Sequence, residues 1–407
     1  MRLLERFIAV LLTAAMLTTT VAFADAEVAA GEATPTADSE ITEAVDAADA
    51  ADANDADAAD AKKKEPQQIT VMLTGDLMCQ PMQQMKAFDG RSYDFRPTFK
   101  YVKKIFDKAD IVIGNLETLV SKSLPLSKDM NRLQSKPYLN APAEWLDALE
   151  YAGFDGFIMA NNHACDGGET GILETLEELD SRGIPHTGLF KDNQENRYFT
   201  MEQNGIKIGV ISYAAYYNLK DKFLSDSEQD YMLNRPIQAR MNADVQALRR
   251  EGAEFIIAYN HAGTEYSQVP APRQERYGRM LAQAGVDYII GSHPHVLQPY
   301  EPLLYGEDTT PYIYSMGNFT SAMLDPITKE TLILSLTLEK TESGKVVLAD
   351  QTYYPCYMLD EYEKEPFVLI PEDEDYNGNL YENAPAALVN QLKKNFKHIR
   401  KIVGELD

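Results

Sequence analysis

Residues 286–298 read VDYIIGSHPHVLQ and set His293 and His295 just beyond a short apolar run. Val286 to Ile290 is predicted as a buried strand, because a short β-rich apolar run bounded by glycine has that character. Gly291 is expected to turn the chain sharply at the strand's carboxyl end. Side chains two apart on an extended backbone point the same way, so both imidazoles can face one ion. Neutral imidazole is the commonest protein ligand for a transition metal. Four other predicted strands end on related chemistry. Residues 69–73 run into Thr74-Gly75-Asp76, and 111–114 into Asn115-Leu116-Glu117. Residues 157–160 run into Asn161-Asn162-His163 with Asp166 beyond, and 255–259 into Asn260-His261 with Glu265 nearby. Any one of these fits a cap or turn. Five strand ends carrying carboxylate, carboxamide or imidazole, with four of the six histidines among them, point instead to a metal centre. His186 and His398 sit on no such edge.

The elements that must position these residues alternate. Helices are predicted at 95–108, 143–152, 169–182, 239–251 and 273–284, interleaved with the five strands. Residues 200–214 read as a hairpin around Asn204-Gly205. Strands follow at 312–315, 331–339 and 346–354, and residues 386–403 form an amphipathic helix. Strand-helix alternation predicts a layered α/β domain with parallel character, and the later hairpins add antiparallel strands. Two stacked sheets flanked by helices are therefore expected. In open α/β sheets the ligand crevice lies outside the carboxyl ends of the strands, which is where the polar residues collect.

Composition bounds the function. The chain has 407 residues, a formal net charge of −25 and three cysteines. Arg2 and Arg6, an apolar stretch and Ala22-Phe23-Ala24 make residues 1–24 a secretory signal, which places the remainder outside the cytoplasm or at the cell surface. The apolar run is nearly long enough to span a bilayer, so an uncleaved anchor is the alternative. Residues 25–66 are expected to be a disordered spacer, since residues 25–61 hold twelve acids and no base or aromatic residue. Asp46, Asp49, Asp52 and Asp55 lack the glycine turn and bidentate Glu of an ordered Ca²⁺ loop. The folded part, residues 67–340 with an extension at 341–407 packed on it, has no basic stripe, which argues against nucleic acid.

Six runs agree in order and spacing with one family: LTGDLM, IGNLET, ANNHACD, NHAGTEY, GSHPHVLQ and YSMGNF. Over residues 68–340 the chain resembles the bacterial capsule biosynthesis family CapA, the poly-γ-glutamate capsule (PGA_cap) proteins. That family is similar to the calcineurin-like metallophosphoesterases. The resemblance implies a four-layer αββα fold with two mixed sheets. It also implies one or two divalent ions held by Asp76, Glu117, Asn162, His261, His293 and His295. His163 takes the place of the acid that protonates a leaving group, with Asp166 orienting its ring. The expected ligand is an anionic polymer, phosphoester or γ-glutamyl substrate, and the expected partners are membrane synthase subunits.

The donor set suits Mn²⁺, Fe or Zn²⁺. One position departs from the pattern. Metallophosphoesterases carry a histidine two residues after the first aspartate, and here that residue is Met78, whose thioether is a poor ligand for a hard ion. Glu117 stands where those enzymes have a bridging Asp. A metal-dependent hydrolase or transferase is the first expectation, and a non-catalytic export or polymer-binding subunit is the second. Arg132 and Glu265 are candidate substrate contacts. Asn318 either hydrogen-bonds a ligand or shapes the turn that it closes. Cys79 and Cys165 flank the predicted edge, where they either pair as a disulfide or stay free; a Cys165–His163 nucleophilic pair is the weakest alternative. Cys356 and Trp145 read as core, and the loop 216–233 either as a lid or substrate contact or as a disordered segment.

Overall fold

The computed structural model describes residues 67–130, 137–306, 308–373 and 383–406. The signal at 1–24, the acidic spacer at 25–66 and Arg132 lie outside the described residues.

Two mixed sheets form the centre. The first runs β16 (Glu365–Pro371), β15 (Val346–Tyr362), β14 (Glu330–Lys340), β1 (Gln67–Leu77), β2 (Ile111–Leu116), β3 (Gly156–Ile158) and β4 (His186–Thr187). In addition, β13 (Asn318–Thr320) pairs with the end of β1. The second sheet runs β5 (Phe199–Gln203), β6 (Ile206–Ala214), β7 (Phe255–His261), β8 (Tyr288–Ser292), β12 (Tyr312–Met316) and β9 (Leu297–Tyr300). Strands β1 to β4 are parallel, as are β6, β7 and β8, so their carboxyl ends share one edge in each sheet.

The two-residue period of β1 shows why four layers form. Val71 and Leu73 face the second sheet and bury against Val210, Ile257 and Ile290, whereas Met72 points the other way. On that outer face, Met72 and Val112 share a core with Trp145, Leu149 and Ile172 of the helices Glu144–Ala152 and Gly168–Ser181. The outer face of the second sheet buries Ile211 and Ile256 against Met241 and Leu281 of the helices Gln238–Arg250 and Pro272–Ala284. The order is helix, sheet, sheet, helix, as the resemblance implied. Trp145 is core, with Phe95 edge-on at 5.2 Å.

The local signals explain most boundaries. Helix Pro272–Ala284 starts with proline in its first turn and ends at Gly285, φ 95°. Asn204 (φ 48°) and Gly205 (φ 73°) make the left-handed two-residue turn between β5 and β6. Two expectations need correction. Residues 95–108 are not one helix but a 3₁₀ turn at Arg96–Phe99 and a short helix at Lys103–Phe106. Their apolar residues serve two cores, since Phe99 and Val102 pack toward Trp145 while Tyr101 packs against Tyr362 between the sheets. Gly291 is not a turn but lies within β8, where a Cβ would stand 1.9 Å from the Tyr314 carbonyl oxygen. The glycine is there because two strands approach closely, not because the chain reverses.

Candidate metal centre

Register brings the polar residues together. Asp76 is opposite Asn115 on β2 and Asn318 on β13, and His261 on β7 is opposite Ser292 on β8. Asp76, Glu117, Asn162 and His163 come from the first sheet, and His261, His293 and His295 from the second. All seven are buried. Ligand-type atoms of Asp76, Glu117 and His295 lie within 4.8 Å of one another. The His261 Nε2 is 4.0 Å from Glu117 Oε1 and 3.2 Å from Asn162 Oδ1. The ring centroid of His293 lies 4.9 Å from that of His261 and 6.1 Å from that of His295.

The two histidines of β8 converge by a different route from the expected one. Neither lies on extended backbone: His293 has φ 97° and His295 φ 61°. Left-handed backbone at non-glycine residues costs about 1–3 kcal/mol each and gathers at functional sites. The strain turns both rings inward, and the His293 N–H points to Asp76 Oδ2 at 3.4 Å.

Asp76, His261 and His295 each have a neighbour that sets their orientation. Asn115 donates from Nδ2 to Asp76 Oδ1 at 2.8 Å. Ser292 Oγ lies 2.8 Å from His261 Nδ1. Asn318, read from the sequence as a ligand contact or a turn former, is buried beside His295. Its Oδ1 takes the Nδ1 proton of His295 at 2.8 Å while its Nδ2 donates to Ser321, so Nε2 is the His295 nitrogen left for another partner.

Electrostatics separates the groups. Burial pushes Asp76 up, but the His295 hydrogen bond and the nearby imidazoles outweigh it and bring it to about 2. Burial pulls His295 down, and Asp76 more than compensates, so its pKa is raised. The two form an ion pair, Nδ1 to Oδ2, at 3.4 Å. Burial, then the charge of His295, lowers His293 to about 3. Burial and His293 hold His261 well below its ordinary value. Burial, then the charge of Asp76, pushes Glu117 well above the usual carboxylate range. Among the described residues neither Glu117 oxygen receives a hydrogen bond from a donor, and the His293 Nδ1 has no partner either. Buried carboxylates are normally satisfied; three orphaned ligand-type atoms beside Asp76 fit a cation held at this point.

Beside this cluster opens a cavity of about 230 Å³, with His163, His295, Met78 and Glu265 in its wall. His163 Nδ1 is 2.7 Å from Asp166 Oδ2. The other Asp166 oxygen takes Lys220 Nζ at 2.7 Å, and Lys220 also donates to the Pro137 carbonyl at 2.6 Å. Sequence reading missed Lys220, which sits in the 216–233 loop with no motif around it; its one signal was the placement of that loop near the edge. Glu265 is an exposed carboxylate on the cavity wall. Cys79, Cys165 and Cys356 are buried and free, so no disulfide joins the first two. Burial raises both the Cys79 and Cys165 thiols far above their ordinary value, and Cys165 makes no hydrogen bond to His163.

Comparison with known proteins places the chain. Residues 70–323 match the family described as bacterial capsule synthesis protein PGA_cap. The capsule biosynthesis protein CapA of Bacillus anthracis is 26% identical over 348 residues, 83% of this chain and 80% of that protein. The PGA biosynthesis protein CapA of Bacillus subtilis is 27% identical, over 61% of this chain and 62% of its own length. Among solved structures, the calcineurin-like phosphoesterase YfkN of Bacillus subtilis is similar with a TM-score of 0.47 and 16% identity, over 82% of this chain and 99% of that one. With more than half of its residues matched in one continuous span, this chain belongs to the PGA_cap family of bacterial capsule synthesis proteins.

Proposed function

We propose that the chain is an extracytoplasmic, metal-dependent hydrolase or transferase acting on an anionic capsule polymer or on the lipid- or wall-linked partner of that polymer. The observation that carries the reading is Glu117, a carboxylate at 0% exposure with no donor on either oxygen among the described residues, set beside Asp76 and His295. Asp76, Glu117, Asn162, His261, His293 and His295 would hold one or two divalent ions. A bound ion of this type supplies Lewis acidity and lowers the pKa of its water to about 7. The chain's own residues do the rest. Asp166, fixed by Lys220 and by the Leu139 N–H at 2.6 Å, takes the Nδ1 proton of His163 and sets the ring. Among the described residues the His163 Nε2 has no protein partner, which leaves it to deliver a proton to a departing oxygen. Tyr216 and Asn218, which line the cavity, would orient the substrate. Export by residues 1–24 and work beside membrane synthase subunits complete the proposal.

The test pairs metal analysis with a screen of phosphoesters and γ-glutamyl peptides. Turnover should depend on added Mn²⁺ and disappear on chelation. Loss of the His163 proton donor should lower it about 100-fold or more, with the metal content of His163→Ala unchanged. Turnover indifferent to chelator or to His163→Ala sinks the catalytic reading.

One observation favours a second reading. Met78 is buried in the cavity wall at the place where a nitrogen ligand stands in metallophosphoesterases. With a thioether there the ion is held less tightly, which suits an accessory subunit, and a relative from Mycobacterium tuberculosis is named a probable polyglutamine synthesis accessory protein. Polymer output at the normal level from a His163→Ala strain would favour this role.

A further inference from the structure

The terminal helix Ala386–Val403 lies beyond the residues that match the family, and its charge opposes the rest of the chain. It carries Lys393, Lys394, Lys397, His398, Arg400 and Lys401 and no acid, in a chain of formal net charge −25. Its apolar face, Leu392, Phe396, Ile399 and Val403, is buried between the two sheets. On the outer side Lys394, Lys397 and Lys401 line one open groove of about 530 Å³. Positions i, i+3 and i+7 share a helix face, so the three ammonium groups form a row spanning about 10 Å at a rise of 1.5 Å per residue, a short basic stripe that corrects the expectation of none in the folded part.

The neighbouring charges are occupied elsewhere. Arg400 pairs with Glu372 at 2.8 Å. Glu330, the one carboxylate in the groove wall, lies 2.8 Å and 3.0 Å from the His398 Nδ1 through its two oxygens. Among the described residues no carboxylate pairs with Lys394, Lys397 or Lys401. A row of uncompensated cations in a concave surface concentrates anions. Because the apolar face is spent on the protein core, the helix cannot insert into a bilayer as an interfacial helix does. A soluble polyanion fits better than a membrane surface.

We infer that this groove is a binding track for an extended polycarboxylate chain. An extended chain advances about 3.3–3.6 Å per residue, so three or four consecutive acidic residues match the lysine row. One segment links the groove to the cavity along the chain. The stretch between β13 and β14 carries Met323 of the cavity wall and ends at Glu330 of the groove, and Thr331 donates to the Met316 carbonyl at 2.8 Å, two residues before Asn318. The identity of the ligand rests on the function proposed above; the site itself does not.

The experiment measures anisotropy of a fluorescein-labelled glutamate oligomer with the full chain. Binding should be saturable and weaken as salt rises. It should fall about tenfold in Lys394→Gln/Lys397→Gln/Lys401→Gln, given about 0.5 kcal/mol per exposed contact, and persist in the matching Lys→Arg triple variant. Metal content and turnover of a small phosphoester should stay unchanged in both variants. Equal binding by the glutamine variant, or wild-type binding no tighter than to neutral dextran, overturns the inference. So does capture by phosphatidylglycerol vesicles through the same lysines with no competition from the oligomer. Lysine-dependent binding in a protein that takes up no metal would leave the groove standing and remove the catalytic reading alone.

Discussion

Glu117 is where charge and burial conflict most sharply. Its pKa in the metal-free fold is raised above the ordinary 4.5 by burial and by Asp76. A raised folded pKa means that its contribution to stability is fully present below 4.5 and is lost as pH rises through the folded value. Chelated protein should therefore lose stability as the solution is made alkaline. Glu117→Gln removes that buried carboxylate and should make the chelated protein more stable by about 1–3 kcal/mol at pH 8, read by thermal melts, while abolishing tight metal uptake. Metal affinity should climb with pH, because an ion must displace a proton from Glu117 and from His295, both of raised pKa. His261 and His293 are already neutral and contribute no such slope. Isothermal titration at several pH values checks the sign, and affinity flat or falling from pH 6 to 8 counts against it. Lys220→Ala should lower turnover by about 10–100-fold, the usual effect of removing a group that orients a catalytic side chain; steady-state kinetics with unchanged metal content is the check. Asp76, Glu117 and the histidines were legible because each lies at or just beyond the carboxyl end of a strand. Lys220 and the positioning role of Asn318 were not, since both depend on which loop folds against which strand end.

At the level of elements, the site exists because parallel strands end together and two glycines let backbones touch. A Cβ on Gly75 would lie 2.0 Å from the Gly317 carbonyl oxygen, and one on Gly291 1.9 Å from that of Tyr314. Gly291→Ala should destabilise the fold by about 3–5 kcal/mol or prevent its formation, seen as a lower denaturant midpoint or insoluble protein. A neutral outcome would mean that β8 and β12 are further apart than described. The strands themselves could be read from apolar runs with flanking glycine, and their long helices from periodicity. The segment 95–108 could not. A helical pattern of apolar residues looks the same whether it faces one core or is broken to serve two. Likewise HPH between Ser292 and Val296 suggested an extended backbone, and only tertiary packing could impose two left-handed residues there.

Across the whole molecule, three cores separate four layers, and the sequence carried that arrangement in its alternation of strand and helix. The cysteines agree with it. Cys79 and Cys165 are buried in the core on the helix side of the first sheet, with both thiols held protonated by burial. Native protein should react slowly with a thiol reagent, and denatured protein should show all three thiols, as a free set requires. Return of a single thiol would reveal a disulfide that the fold does not contain.

On our reading, the strand ends of the two sheets jointly grip a cation. Elemental analysis of protein purified without chelator and then reconstituted with Mn²⁺ tests it most directly, alongside Asp76→Asn and His295→Ala. Wild type should retain a transition metal at a stoichiometric level through gel filtration, and both variants should lose it. Wild-type protein that holds no transition metal even after reconstitution, or variants that hold as much as wild type, would contradict the account.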